Sequence, residues 1–163
     1  MPQDKSLQDL FIETLKDIYF AEKQIYRSLP KMAKAAQAQD LREAFRHHQE
    51  QTEGQIERLE QVFELIGKPA RGKQCLAILG IIEEAKEIME EFGDSQALDA
   101  GLLATAQAVE HYEISRYGTL KAWAKRMGLK DVVPLLEENL KEEKETDVLL
   151  TELAGTIVNA EAA

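Results

Sequence analysis

The sequence predicts an all-α fold: an antiparallel four-helix bundle with a long crossover that carries an additional helix. Three observations lead there. Apolar residues recur three and four apart over long segments, the spacing of one face of a helix. Glycine (9) and proline (4) are scarce among the 163 residues, which favours helix over strand. The helical segments fall into two long hairpins, 7–67 and 96–159, separated by a connector with its own helix, 74–92. Two hairpins with one long connection pack most economically as a four-helix bundle. The length suits a single domain, 1–163, with one core.

The first helix is expected from Leu7 to Ala36, where Phe11, Leu15, Ile18, Ile25, Leu29 and Met32 form the apolar stripe. Asp4 or Ser6 can cap its start, and Pro30 should bend it or remove one backbone bond. Asp40 is expected to cap the second helix, with Glu43 as its capping-box partner. Leu41, Phe45, Ile56, Leu59, Phe63 and Ile66 line that helix, and Gly67-Lys68-Pro69 ends it. The connector helix carries Leu76, Ile78, Leu79, Ile81, Ile82, Ile88 and Met89, enough apolar surface to pack on the bundle and to offer a face to a partner. Gly93-Asp94-Ser95 breaks it. The next helix runs to Met127 and stops at Gly128. Asp131 is expected to cap the last, with Pro134 in its first turn.

The hairpins resemble each other. Ala21-Glu22-x-x-x-Tyr26-x-x-Leu29 matches Tyr112-Glu113-x-x-x-Tyr117-x-x-Leu120 at an offset of 91, and the same offset pairs Asp40 with Asp131. The repeat places Glu22 and Glu113 at equivalent positions.

Charge and cysteine content narrow the function. A net charge of −10 argues against nucleic acid and anionic membranes, which both need clustered Lys and Arg. No segment approaches a membrane span, and the first residues lack the pattern of a signal peptide. Cys75, the one cysteine, cannot build an internal disulfide or a four-cysteine metal site, and fits a reducing, cytoplasmic setting.

At about 100° per residue each helix has a calculable core-facing direction. Glu22 lies within its stripe, between Ile18, Ile25 and Leu29. Glu113 lies on the line of Leu102, Val109 and Leu120, with Glu110 about 60° to one side. Glu143 falls among Leu136, Leu140 and Leu150, and Asp147 is one turn further. On the second helix Thr52 holds the centre of the stripe and His48 is about 40° off it, while Glu53 and Glu57 turn towards solvent. One core-edge carboxylate is ordinarily salt-bridged or snorkels to solvent. Five in one region repel unless cations neutralise them, and Lys121, Lys141 and Lys144 point elsewhere. The spacing therefore points to a metal site. His48 is either a ligand or a buried histidine bonded to a carboxylate. His47 and His111 fall on polar faces, and Tyr26 and Tyr117 are placed to orient carboxylates.

The stretches LKDIYFAEKQI (15–25), FRHHQEQT (45–52), QAVEHYEISRYGTLKA (107–122) and LKEEKETDVLL (140–150) resemble the YciE/YciF family of bacterial stress-associated proteins, in the ferritin-like superfamily. The resemblance spans almost the whole chain. It implies a rubrerythrin-related bundle around a di-nuclear metal centre, iron first and manganese second, and a homodimer. The Glu110/Glu113 pair resembles the extra glutamate of rubrerythrin. The Glu-x-x-His motifs of that superfamily are incomplete here, since Glu53 is followed by Ile56 and Glu143 by Thr146. His48 and Asp147 can take the missing places, with Glu53 the competitor of His48. In this reading Glu22 and Glu113 bridge two ions, Glu110, Glu143, Asp147 and His48 are terminal ligands, and the centre reacts with peroxide or dioxygen or binds iron. The alternative is a non-enzymatic helical interaction module with a degenerate site.

Overall fold

The computed structural model describes residues 4–163, the side chain of residue 157 apart. Five long helices dominate: α1 (Leu7–Ala35), α2 (Gln39–Leu65), α3 (Leu76–Glu91), α4 (Leu98–Arg126) and α5 (Val133–Leu153). A π-helical turn (Ala154–Val158) and a short helix α6 (Asn159–Ala162) follow.

Several helix ends have a local cause. Ser6 and Asp9 close a reciprocal capping box on α1. Pro30 leaves α1 continuous. The Tyr26 carbonyl, which loses its partner to the proline ring, instead faces the Gln49 side-chain amide of α2 at 3.4 Å. Gly67 (φ 68°) ends α2 and Gly128 (φ 71°) ends α4. In both, the glycine and the next residue return N–H groups to the last turn: Gly67 to Glu64 and Lys68 to Phe63, Gly128 to Lys125 and Leu129 to Ala124. Cys75 caps α3, its sulfur accepting from the Ile78 N–H.

Neither expected aspartate cap forms. Asp40 lies inside the first turn of α2, behind Ala38, which has no side-chain cap. The N–H groups of Gln37 and Ala38 bond instead to the two carboxylate oxygens of Asp99, in the first turn of α4, each at 2.7 Å. Asp131 precedes Val132, which leads the chain directly into α5 from a tight turn.

Polar pairs along the helices fix their directions. Lys121–Glu137, His111–Asp147 and Gln107–Thr151 run antiparallel along α4 and α5. Arg58–Asn139, Gln55–Glu142 and Gln51–Thr146 do the same for α2 and α5. α3 carries the chain back along the bundle. It starts beside the middle of α1, where the Lys73 N–H bonds to the Lys16 carbonyl. Near its far end, the Gln37 amide reaches the Ser95 carbonyl. Tyr112 helps hold the crossover: its hydroxyl gives its proton to Asp17 at 2.7 Å, so the Cys75 thiol, 3.1 Å away, donates to Tyr112. Ile78 and Ala85 bury α3 against the bundle, while Leu76 stays 78% exposed. Among the described residues, no helix is long and apolar enough to cross a membrane.

Candidate metal centre

α1, α2, α4 and α5 each send polar side chains into the middle of the core. Glu22, Glu110, Glu113 and Glu143 are completely buried, and His48 is 4% exposed. Each shares its helix face with buried apolar residues, so the hydrophobic burial of the helix carries the polar side chain inward with it. His48, Glu110, Glu113 and Glu143 bring one potential ligand atom each to within 4.8 Å of the others.

The contacts within this group are not those of a finished hydrogen-bond network. His48 Nε2 stands 2.7 Å from Glu110 Oε1, yet the pair lacks hydrogen-bond geometry. Both oxygens of Glu110, Glu113 and Glu143, both nitrogens of His48 and Oε2 of Glu22 have no partner. Among the described residues, only Arg42 Nε and Gln55 Oε1 share that condition. Glu22 Oε1 is satisfied, accepting from the Tyr117 hydroxyl at 2.7 Å. No lysine or arginine among the described residues pairs with any of the four carboxylates.

Burial, reinforced by the charge of Glu143, pushes Glu22 up to about 8. Burial also pushes Glu110 up to about 8, with the charges of Glu22 and Asp147 adding to it. Glu113 and Glu143 are raised well above the carboxylate range, first by burial, then by Glu143 and Glu22 in the one case and by Glu110 in the other. Buried carboxylates that must share protons or neutralise one another are ready ligands for a cation.

The remaining sequence candidates lie elsewhere. Asp147 is partly exposed on the next turn of α5 and contacts His111 Nε2 at 3.1 Å, on the surface. Glu53 and His47 are exposed. Tyr26 is half-buried, and its hydroxyl makes no hydrogen bond, unlike its repeat counterpart Tyr117. Thr52 is buried and returns its hydroxyl to the His48 carbonyl.

Sequence reasoning missed a second buried polar layer between α2 and α5. Asn139 Nδ2 donates to the Gln55 carbonyl at 3.2 Å, and its Oδ1 accepts from Arg58 at 2.8 Å. Arg58 also pairs with Glu142 at 2.8 Å, and the Gln55 amide donates to Glu142 at 3.0 Å. The signal was present. Gln55 continues the Thr52–Leu59 face at spacings of three and four, and Asn139 lies between Leu136 and Glu143 on α5.

Known proteins match the chain closely. Protein YciF of Escherichia coli (strain K12) is 46% identical over 159 residues, covering 97% of this chain and 96% of that protein. The crystal structure of the E. coli stress protein YciF superposes with a TM-score of 0.90 at 46% identity, covering 95% of this chain and 98% of that one. YcfI from Rhodopseudomonas palustris, for which a structural role has been suggested, gives 0.89 at 47% identity, covering 93% and 97%. A protein of Xanthomonas campestris pv. campestris shares the fold at 22% identity, with a TM-score of 0.75 over 95% and 94% of the two chains. The family described as Domain of unknown function (DUF892) matches residues 6–163, and with this bundle and nearly half its residues shared with YciF, the chain belongs to that family.

Proposed function

We propose that this protein is a stress-response protein that binds a pair of divalent ions in its bundle core, iron first and manganese second. The observation that supports this reading is the buried group of Glu22, His48, Glu110, Glu113 and Glu143, most of whose ligand atoms lack hydrogen-bond partners. A carboxylate-rich set with one imidazole suits hard divalent cations. Four ionised glutamates carry the charge that two divalent ions cancel, which removes the repulsion otherwise raising their protonation. His48, Glu110, Glu113 and Glu143 would hold one ion, and Glu22 would join Glu113 or Glu143 around the second. Tyr117 fixes Glu22 by its hydrogen bond and so presets the orientation of the free oxygen. Bound as ferrous ions, the pair supplies two electrons to a peroxide or to dioxygen. The name of YciF as a stress protein fits such a role. Pairing of two copies, bundle to bundle, belongs to the same proposal.

Metal analysis of protein produced with iron and manganese supplements tests it. The expectation is roughly two ions per chain, as in two-metal sites, lost in Glu113→Ala and Glu143→Ala. Protein that stays metal-free, or a metal content indifferent to both substitutions, would sink the proposal. The structural role suggested for YcfI supports a second reading, a helical interaction module whose core never loads metal. In that case the same substitutions raise stability and added metal leaves it unchanged.

A further inference from the structure

A narrow cavity opens between α3 and the bundle. Leu29 of α1, Ile82 and Ala85 of α3, and Ala106 and Val109 of α4 form its walls. His48 and Glu110, both buried, belong to its lining, whereas Lys31 and Lys86 are exposed and so mark its mouth. The cavity therefore leads from the surface to one edge of the carboxylate group. Both nitrogens of His48 and both oxygens of Glu110 lack partners, so its deep end meets unsatisfied polar atoms.

We propose that this cavity is the entrance to the metal centre, that it admits small uncharged apolar molecules, and that α3 is its outer wall. The inference rests on the metal reading above. Its volume is about 40 Å³. A single water needs about 10–15 Å³ on the same footing, so the space takes a molecule of about three or four heavy atoms. The walls are mostly leucine, isoleucine, alanine, valine and methionine, and the hydroxyls of Ser28 and Thr105 are bonded back to the carbonyls of Gln24 and Gly101. An ion or a strongly hydrated molecule therefore finds little replacement for its water, whereas an apolar molecule loses nothing by entering. Dioxygen and the smallest alkyl compounds have this character. Gly101 keeps the wall close: a Cβ there would stand 2.8 Å from Ile88 Cγ2, so glycine lets α3 lie directly on α4.

Xenon, an uncharged apolar probe, tests the cavity without reference to metal. In methyl-labelled protein under xenon pressure, the Ile81, Ile82 and Val109 resonances should shift, and Ala106→Leu should abolish the shifts by filling the space. Ala85→Leu fills it from the opposite wall, in case Ala106→Leu does not fold. In iron-loaded protein, dioxygen should then oxidise bound ferrous ions about tenfold or more slowly in the filled variant. Metal content and oxidation by ferricyanide, a charged acceptor excluded from the cavity, should be unchanged. In the dioxygen reaction, two ferrous ions give two electrons and the solvent gives two protons, forming hydrogen peroxide. Xenon shifts absent from these methyls, or unslowed dioxygen oxidation in a filled variant with full metal content, would overturn the entrance. Failure of the parent protein to bind metal would overturn the metal reading instead, and the xenon result would still decide whether the cavity admits apolar molecules.

Discussion

Two polar layers lie one helical turn apart along α5 and differ in how far their polar groups answer one another. The Asn139 layer closes on itself: Asn139, Arg58, Glu142 and the amide of Gln55 answer one another, and only Gln55 Oε1 is left over. The Glu143 layer leaves nearly all its polar atoms unanswered. Burial alone therefore does not mark a functional site. A satisfied buried network stabilises and orients the helices, whereas an unsatisfied one costs free energy until something else completes it. The first layer needs nothing beyond the chain. On the reading proposed above, a cation would complete the second.

This contrast can be broken experimentally. The largest effect expected is on metal addition, which should stabilise the protein by about 4 kcal/mol at a thousandfold excess over the dissociation constant. Thermal melts with and without iron(II) or manganese(II) measure it, and Glu143→Ala should erase the difference. An unchanged melting temperature in the parent would put both layers in the same class.

The next effect is on pH. Glu22 and Glu110 titrate near about 8 in the folded protein, against the ordinary 4.5. Between these values the folded chain holds protons that the unfolded chain has released. Stability of the metal-free protein is then greatest at the acid end of that window and falls as pH rises through it. Urea midpoints at about pH 5 and about pH 8 should differ in that order. Metal should reverse the trend, because ligation requires the deprotonated carboxylates. A metal-free midpoint that rises with pH would show that the cluster is not protonated as described.

Substitution within the closed layer should cost less than either, and without regard to metal. Asn139→Ala removes the second bond to the Gln55 carbonyl and leaves part of Arg58 without its partner, at a cost of about 1–3 kcal/mol. Denaturant titration checks this, and the loss should be equal with and without metal. The smallest change is expected from Glu113→Gln in the metal-free protein. It removes an ionisable group from a site where ionisation is disfavoured, so stability should stay within about 1 kcal/mol of the parent at neutral pH or rise. A loss of about 3 kcal/mol or more would instead mark Glu113 as part of a closed network.

Sequence periodicity located Glu22, Glu113 and Glu143 on core-facing stripes because each shares its face with apolar residues one or two turns away: Ile18 and Ile25, Val109 and Leu120, Leu140 and Leu136. It read Glu110 as a flank residue, yet Glu110 is as buried as the others. A calculation of one apolar direction assumes one covered side, whereas α4 is covered by α1, α3 and α5 together. Asp147 is half-buried one turn further along α5, where it meets His111. Its stripe continues on the helix, but the level it reaches borders an exposed part of α4. The internal repeat extended to Tyr117 but not to Tyr26, since only Tyr117 meets a carboxylate. Of the two caps offered for α1, Asp4 and Ser6, it is Ser6 that forms, with a partner in the same turn; the cap expected at Asp40 does not form, because the partner of that turn is Asp99.

That last contact also separates the order in which the chain is made from the order in which it is completed. The turn between α1 and α2 is a short-range element, but its two N–H groups find their acceptor about sixty residues later, after α3 has crossed the bundle. An emerging first hairpin carries an open joint. Its geometry becomes fixed when α4 docks, so the final locking of the first half and the arrival of the second are one event, and a lesion at Asp99 would loosen the hairpin that it does not belong to.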